Sequence, residues 1–143
     1  MANFPELKKT YISYNNTSYI LEKNKKKKLK TNSVINFKKT KILCNFHNQN
    51  KNLKILKKLD KLNKNISRIT LDAFSYCLLA EGKLDAVIES NLKIYDVAAI
   101  IPIVENAGGF ITTWNNKNAE KAGNILATSN KKLHYKLLKI LKN

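Results

Sequence analysis

Two carboxylates stand out for their spacing. Glu89 closes the alternating run KLDAVIES at residues 83–90, and Asp96 follows seven residues later at the head of the apolar run DVAAIIPIVENAGG. The first run reads as a strand and the second as a helix over residues 96–109, stopped by Gly108-Gly109. On local sequence alone Asp96 reads as a helix N-cap, whose carboxylate accepts backbone N–H groups at the positive end of the helix dipole. A second reading stays open. A strand end, a short loop and a helix start form the usual place for a phosphate or metal site in an α/β layer. The spacing would put both carboxylates on one cleft. Pro102 inside the helical run strains the simple reading, because an interior proline removes a backbone hydrogen bond.

Other groups with reactive side chains lack partners. Asp72 stands near a helix start and has the same capping reading as Asp96. Arg68, the only arginine, reads as a surface ion-pair partner. Ser75 and Ser129 have no nearby histidine, so no nucleophile–base arrangement is supported. His47 falls in the polar loop NFHNQN and His134 on the face of a terminal helix, neither with a metal-type partner. Cys44 and Cys77 are far apart and without metal spacing; Cys77 reads as a small core residue. Trp114 and Phe110 flank a strand and read as core rather than stacking platforms.

The elements around these residues fit one domain of 143 residues. Residues 10–23 alternate aromatic and β-branched side chains around Asn15-Asn16 and read as a hairpin. The lysine run at 25–28 reads as an exposed loop or edge. Residues 41–46 read as a strand. Residues 51–66 form an amphipathic pattern with Leu53, Ile55, Leu56, Leu59 and Leu62 on one side. Packing of that stripe on the chain's own core is favoured over a membrane surface, because large aromatics are missing. Residues 71–82 read as a buried helix, 109–114 and 124–129 as strands, and 130–142 as a helix capped by Asn130. Alternating strands and helices in the second half predict a layered α/β domain, with a basic hairpin and helix region at 1–66 and an α/β region at 67–143.

The net charge is +17, yet 26 of the 27 basic residues are lysine. Arginine, preferred for bidentate phosphate and base contacts, is almost missing, which disfavours nucleic-acid binding. Residues 1–59 carry 15 lysines against Glu6 and Glu22, a mostly solvated surface. No apolar run reaches bilayer length and no secretory signal is visible at the N-terminus, so the sequence suits a reducing cytoplasm.

YDVAAIIPIVENAGGFITTW, residues 95–114, resembles the C-terminal signature of the inositol monophosphatase family, with Tyr95 where that family usually has Trp. SYCLLAEGKLDAVIE at 75–89 and the IIPIVE wording resemble the histidinol-phosphate phosphatase branch, and residues 4–29 are similar to the strand pair after the catalytic core. The resemblance implies a Mg²⁺-dependent phosphomonoesterase of sandwich α/β architecture, in which metals activate a water for attack on phosphorus. It implies that Asp96 is a metal ligand and that Glu89 accepts hydrogen bonds from the substrate's leaving portion. RITLDA at 68–73 occupies the segment where that branch has Arg-x-Gly-Gly-Asp. Arg68 and Asp72 match as substrate-binding positions, whereas Thr70 and Leu71 replace the glycines and add bulk there.

The family's Glu-Glu segment and Asp-Pro-x-Asp-Gly-Thr loop have no counterpart in the 143 residues. The expectation is therefore the C-terminal portion of an enzyme, inactive alone, with Met1 an internal methionine of a longer reading frame. The partners implied are a small phosphorylated substrate, the missing N-terminal half in cis or in trans, and a homo-oligomer. Alternatives are an inositol phosphatase or other small phosphomonoesterase of the same family, and a non-catalytic basic binding or partner-assembly module.

Overall fold

The computed structural model describes residues 1–34, 36–46 and 49–142, with only the backbone described at 49–51. His47 lies outside the described residues. The chain opens with β1 (Ala2–Phe4), β2 (Lys9–Tyr14), β3 (Thr17–Glu22) and β4 (Lys25–Lys28), a four-stranded antiparallel sheet in that order. The Asn15-Asn16 hairpin forms as the sequence predicts. Both asparagines take positive φ, 48° and 54°, the twist that a two-residue turn between paired strands requires. Lys23 and Asn24 repeat this at the next turn. The lysine run is thus an edge strand, where charge deters pairing with other chains.

The second sheet is mixed, in the order β6-β5-β7-β9-β8. It is built from β5 (Ile42–Asn45), β6 (Ile66–Ser67), β7 (Ala86–Leu92), β8 (Phe110–Thr113) and β9 (Gly123–Thr128). The helices are α1 (Gln49–Leu62), α2 (Ala73–Ala80), α3 (Ile94–Val97), α4 (Ile101–Glu105) and α5 (Lys131–Leu141). Because β5 pairs with β7, the chain passes between sheets in residues 29–41; the sequence division at 66–67 instead runs through β6.

Three apolar clusters stack these pieces into four layers. Tyr11, Ile20 and Leu29 of the first sheet region meet Cys77 and Ala80 of α2 and Ile103 of α4. The other side of α2 and α4 presents Tyr76, Leu79 and Val104 to Val87, Ile111 and Ile125 of the second sheet. The far face of that sheet, with Ile42, Cys44, Ile88 and Leu126, is covered by Leu59 of α1 and Leu137 of α5. This is a layered α/β domain. β7 lies at its centre: Ala86 to Ser90 are all buried, so both faces of the strand are covered, and Glu89 is buried with its apolar neighbours. Of the α1 stripe, Leu56 and Leu59 face the core, while Leu53 and Leu62 stay exposed. Among the described residues no helix is long and apolar enough to cross a membrane.

Candidate functional site

Alternation along β7 decides where Glu89 points. Val87 faces α2 and α4, so Glu89, two residues on, faces the same way. Pairing with β9 slips between Glu89 and Leu92, and Asn91 takes φ 62°. Such a bulge re-aims the chain as it leaves the sheet. Asn124 secures it by accepting from the Asn91 N–H at 3.1 Å. The chain then enters α3, which carries Asp96.

The predicted single helix over 96–109 is instead two short helices, α3 and α4, joined by a turn. Lys93 is the N-cap residue and Asp96 the third helical position, a correction to the N-cap reading. The Asp96 carboxylate still acts on the helix start: its Oδ2 accepts from the Lys93 N–H at 2.7 Å. Pro102 falls in the first turn of α4, where its missing N–H would have had no intrahelical partner. The strain inferred from an interior proline therefore does not arise.

Asp72 precedes α2 with φ 44° and ψ −132°, and its side chain makes no capping bond. The capping reading is corrected here too. Backbone carbonyls do that work instead: Leu71 O accepts from the Phe74 N–H and Asp72 O from the Ser75 N–H, both at 3.0 Å, while Ser75 Oγ accepts from the Leu71 N–H at 2.7 Å. The conformation of Asp72 is sparsely populated for a residue with a side chain, and such residues gather at functional sites.

Asp72, Glu89 and Asp96 line one cleft of about 480 Å³, together with Ala73, Leu92 and Tyr95. Among the described residues no basic side chain lines it, in a chain with 27 basic and 10 acidic residues. Glu89 is 2% exposed at its floor, and the Tyr76 hydroxyl donates to Glu89 Oε2 at 2.7 Å. Burial, then the charges of Glu89, Asp96 and Asp72, push the Tyr76 phenol well above its usual range, so it stays a proton donor. Sequence reading overlooked Tyr76. Its signal was a hydroxyl in the otherwise apolar SYCLL run, which needs a partner once buried.

Arg68 and Thr70 are not brought to this cleft. Arg68 pairs with Asp60 of α1, reaches the Leu56 carbonyl at 3.5 Å, and approaches Cys44 Sγ at 3.6 Å. The Thr70 hydroxyl is buried without a protein partner. His134, read as a helix-face residue without partners, is buried between Thr112 and Thr128, both at 2.9 Å. Trp114 is core, its indole N–H donating to the Ile125 carbonyl at 3.0 Å, while Phe110 is 37% exposed.

The donors do not by themselves fit a Mg²⁺ centre. Although three carboxylates share the cleft, among the described residues no three His, Cys, Asp or Glu side chains converge closely enough to hold a metal. Mg²⁺ demands near-octahedral oxygen ligation. Asp96 also has one oxygen engaged by Lys93, which leaves Oδ1 as a single donor.

A family model described as the inositol monophosphatase family matches residues 2–143. The bifunctional phosphatase IMPL2 of Arabidopsis thaliana is 48% identical over 60 residues, 41% of this chain and 17% of that protein. A histidinol-phosphatase of Mycobacterium tuberculosis is 37% identical over 58 residues, 41% of this chain and 22% of that protein. The structure of the extragenic suppressor protein SuhB from Bartonella henselae matches with a TM-score of 0.75 at 25% identity, covering 90% of this chain and 54% of that one. The chain thus spans about half the length of that solved relative, and the aligned segments less than a quarter of the two enzymes.

Proposed function

Since the chain belongs to the inositol monophosphatase family, we propose that it forms the C-terminal part of a phosphate monoester hydrolase acting on histidinol phosphate. Members of this family are phosphatases that generally depend on Mg²⁺. The observation that carries the reading is the acidic cleft: Asp72, Glu89 and Asp96 collect on one side of a strongly basic chain with no cation among them. Such a cleft suits a divalent cation beside phosphate and a leaving portion that carries N–H or O–H donors. Asp96 offers Oδ1 as one metal donor, and the remaining oxygen ligands come from a further portion of the enzyme, in cis or in trans. Glu89 accepts from the leaving portion, and Asp72 flanks it. Arg68, matched by the family pattern, and Thr70, which stands where that pattern has a glycine, reach substrate only if residues 68–71 rearrange. Homo-oligomer formation belongs to the same reading, as does work in histidine biosynthesis in the cytoplasm.

Phosphate release from histidinol phosphate and from inositol monophosphate, with Mg²⁺, tests this on the isolated chain and on the product of its native gene. The isolated chain should stay at background. The native product should prefer histidinol phosphate and lose about a thousandfold in rate on Asp96→Asn, the scale of removing one transition-state charge contact. Turnover by the isolated chain that Asp96→Asn abolishes would overturn the division of the site. A preference for inositol monophosphate would favour the second reading, a phosphatase of that specificity; SYCLLAEG and IIPIVE favour the first.

A further inference from the structure

Glu89 is buried, carries no ion-pair partner among the described residues, and takes one hydrogen bond, from the neutral Tyr76 phenol. A carboxylate removed from water is costly unless charges or donors surround it. One phenol satisfies one oxygen. Glu89 Oε1 is not among the buried atoms without a partner, and the residue lines the cleft, so this second oxygen faces the cleft. Tyr76 is itself 0% exposed, and α2, on which it sits, packs directly on β7. The phenol has no freedom to leave, and the carboxylate plane is held from behind.

Resting on the reading above, we propose that Tyr76 is a positioning residue: it fixes Glu89 through Oε2 so that Oε1 is presented to the cleft as a single oriented acceptor. The site it serves selects a leaving portion that carries an ammonium or other N–H donor. An unheld carboxylate would rotate about its terminal bond and present either oxygen. A held one discriminates, because a leaving portion without a donor leaves Oε1 unsatisfied, and sites built around a hydrogen bond reject such analogues strongly. Asp72 and Asp96 on the same cleft add negative charge, which favours a cation over a neutral hydroxyl.

The test uses the product of the native gene with Mg²⁺ and two substrates. Histidinol phosphate has an ammonium on its leaving portion; 4-nitrophenyl phosphate has no donor there. Tyr76→Phe should raise KM for histidinol phosphate about tenfold, the scale of one hydrogen bond to a charged group, with kcat within about twofold. The 4-nitrophenyl phosphate parameters should stay unchanged, which also reports that the protein is folded. On a Glu89→Ala background Tyr76→Phe should have no further effect, because its route runs through Glu89. If Tyr76→Phe does not fold, 3-fluorotyrosine placed at position 76 keeps the shape and strengthens the donor; KM for histidinol phosphate should then shift while 4-nitrophenyl phosphate does not. Equal losses on both substrates, or an effect that persists without Glu89, would reduce Tyr76 to a structural tie and overturn the proposal while leaving the phosphatase reading intact. A wild-type protein inactive on both substrates would remove the phosphatase reading, and the proposal with it.

Discussion

At the scale of single residues, His134 shows how hydrogen-bond accounting fixes a proton. Thr112 Oγ1 donates to the Thr113 carbonyl at 2.8 Å, so toward His134 Nε2 it accepts. Thr128 Oγ1 has only a longer bond, 3.2 Å to the Asn130 carbonyl, and can turn to donate to His134 Nδ1. The neutral Nε2–H tautomer therefore satisfies every group. Burial holds the imidazole pKa down at about 4. Between pH 6.5 and 4 the unfolded chain binds a proton that the folded chain refuses, so stability is full above pH 6.5 and is lost as pH falls toward 4. The loss is on the order of 2–3 kcal/mol. His134→Gln keeps one donor and one acceptor but cannot titrate; urea unfolding at pH 7 and pH 4.5 should show a smaller difference for the variant than for the wild type. An unchanged difference would mean that other groups carry the slope. Nothing in the local sequence marked this histidine, since its threonine partners come from two strands. By contrast Glu89 and Asp96 were legible, because strand alternation and a helix start are local. That Arg68 forms a surface ion pair was legible too, but not that its partner is Asp60, because Asp60 lies eight residues back on α1 and tertiary packing brings them together.

At the scale of elements, the Gly-Gly stop divides two requirements between adjacent residues. Gly108 takes φ 94°, a backbone region that side chains disfavour. Gly109 is ordinary in φ but has no room: an added Cβ would stand 2.8 Å from Val104 Cγ1 and 3.0 Å from the Thr128 carbonyl. The end of α4 thereby presses on the end of β9, which sets how α4 and β8 sit over the central strand that carries Glu89. Gly109→Ala should destabilise by about 2 kcal/mol through overpacking, read as a fall in melting temperature. A neutral result would show that Val104 can rotate away. The sequence marks the stop correctly but reads one helix where two exist. The turn at residues 98–100 is made of Ala-Ala-Ile, which carries no breaker signal, and the break follows from Pro102, which has no N–H to bond the Ala98 carbonyl four residues back and whose ring crowds it. Strand β4 was legible only as one of two readings, loop or edge: four lysines carry no alternation, and the Lys23-Asn24 turn is what commits them to the sheet edge.

At the scale of the whole molecule, the four layers leave the acidic cleft at one end of β7, open and short of ligands. Its acidity is a local inversion of a +17 chain, so average charge says little about what the cleft takes. The layered class was legible from alternation in the second half. Joining the first half to it through β5 was not, because parallel pairing across the chain leaves no local mark. A consequence concerns metal. A ligand that binds only the folded state stabilises it by RT ln(1 + [L]/Kd). One free carboxylate oxygen at Asp96, without convergent neighbours, falls far short of a complete oxygen shell and holds Mg²⁺ weakly. At a Mg²⁺ concentration below Kd the gain is less than RT ln 2, about 0.4 kcal/mol, or about 1–2 °C in melting temperature for a domain of this size. Melting of the isolated chain in 5 mM Mg²⁺ and in EDTA should accordingly agree to within about 2 °C, and Asp96→Asn should not widen that difference. On the proposed reading, a gene product that carries the further oxygen donors should lose several degrees in EDTA, a loss that Asp96→Asn largely abolishes. A large Mg²⁺ shift in the isolated chain would place a closed metal centre among its own residues, and the carboxylates of the cleft would have to move together on binding to make it.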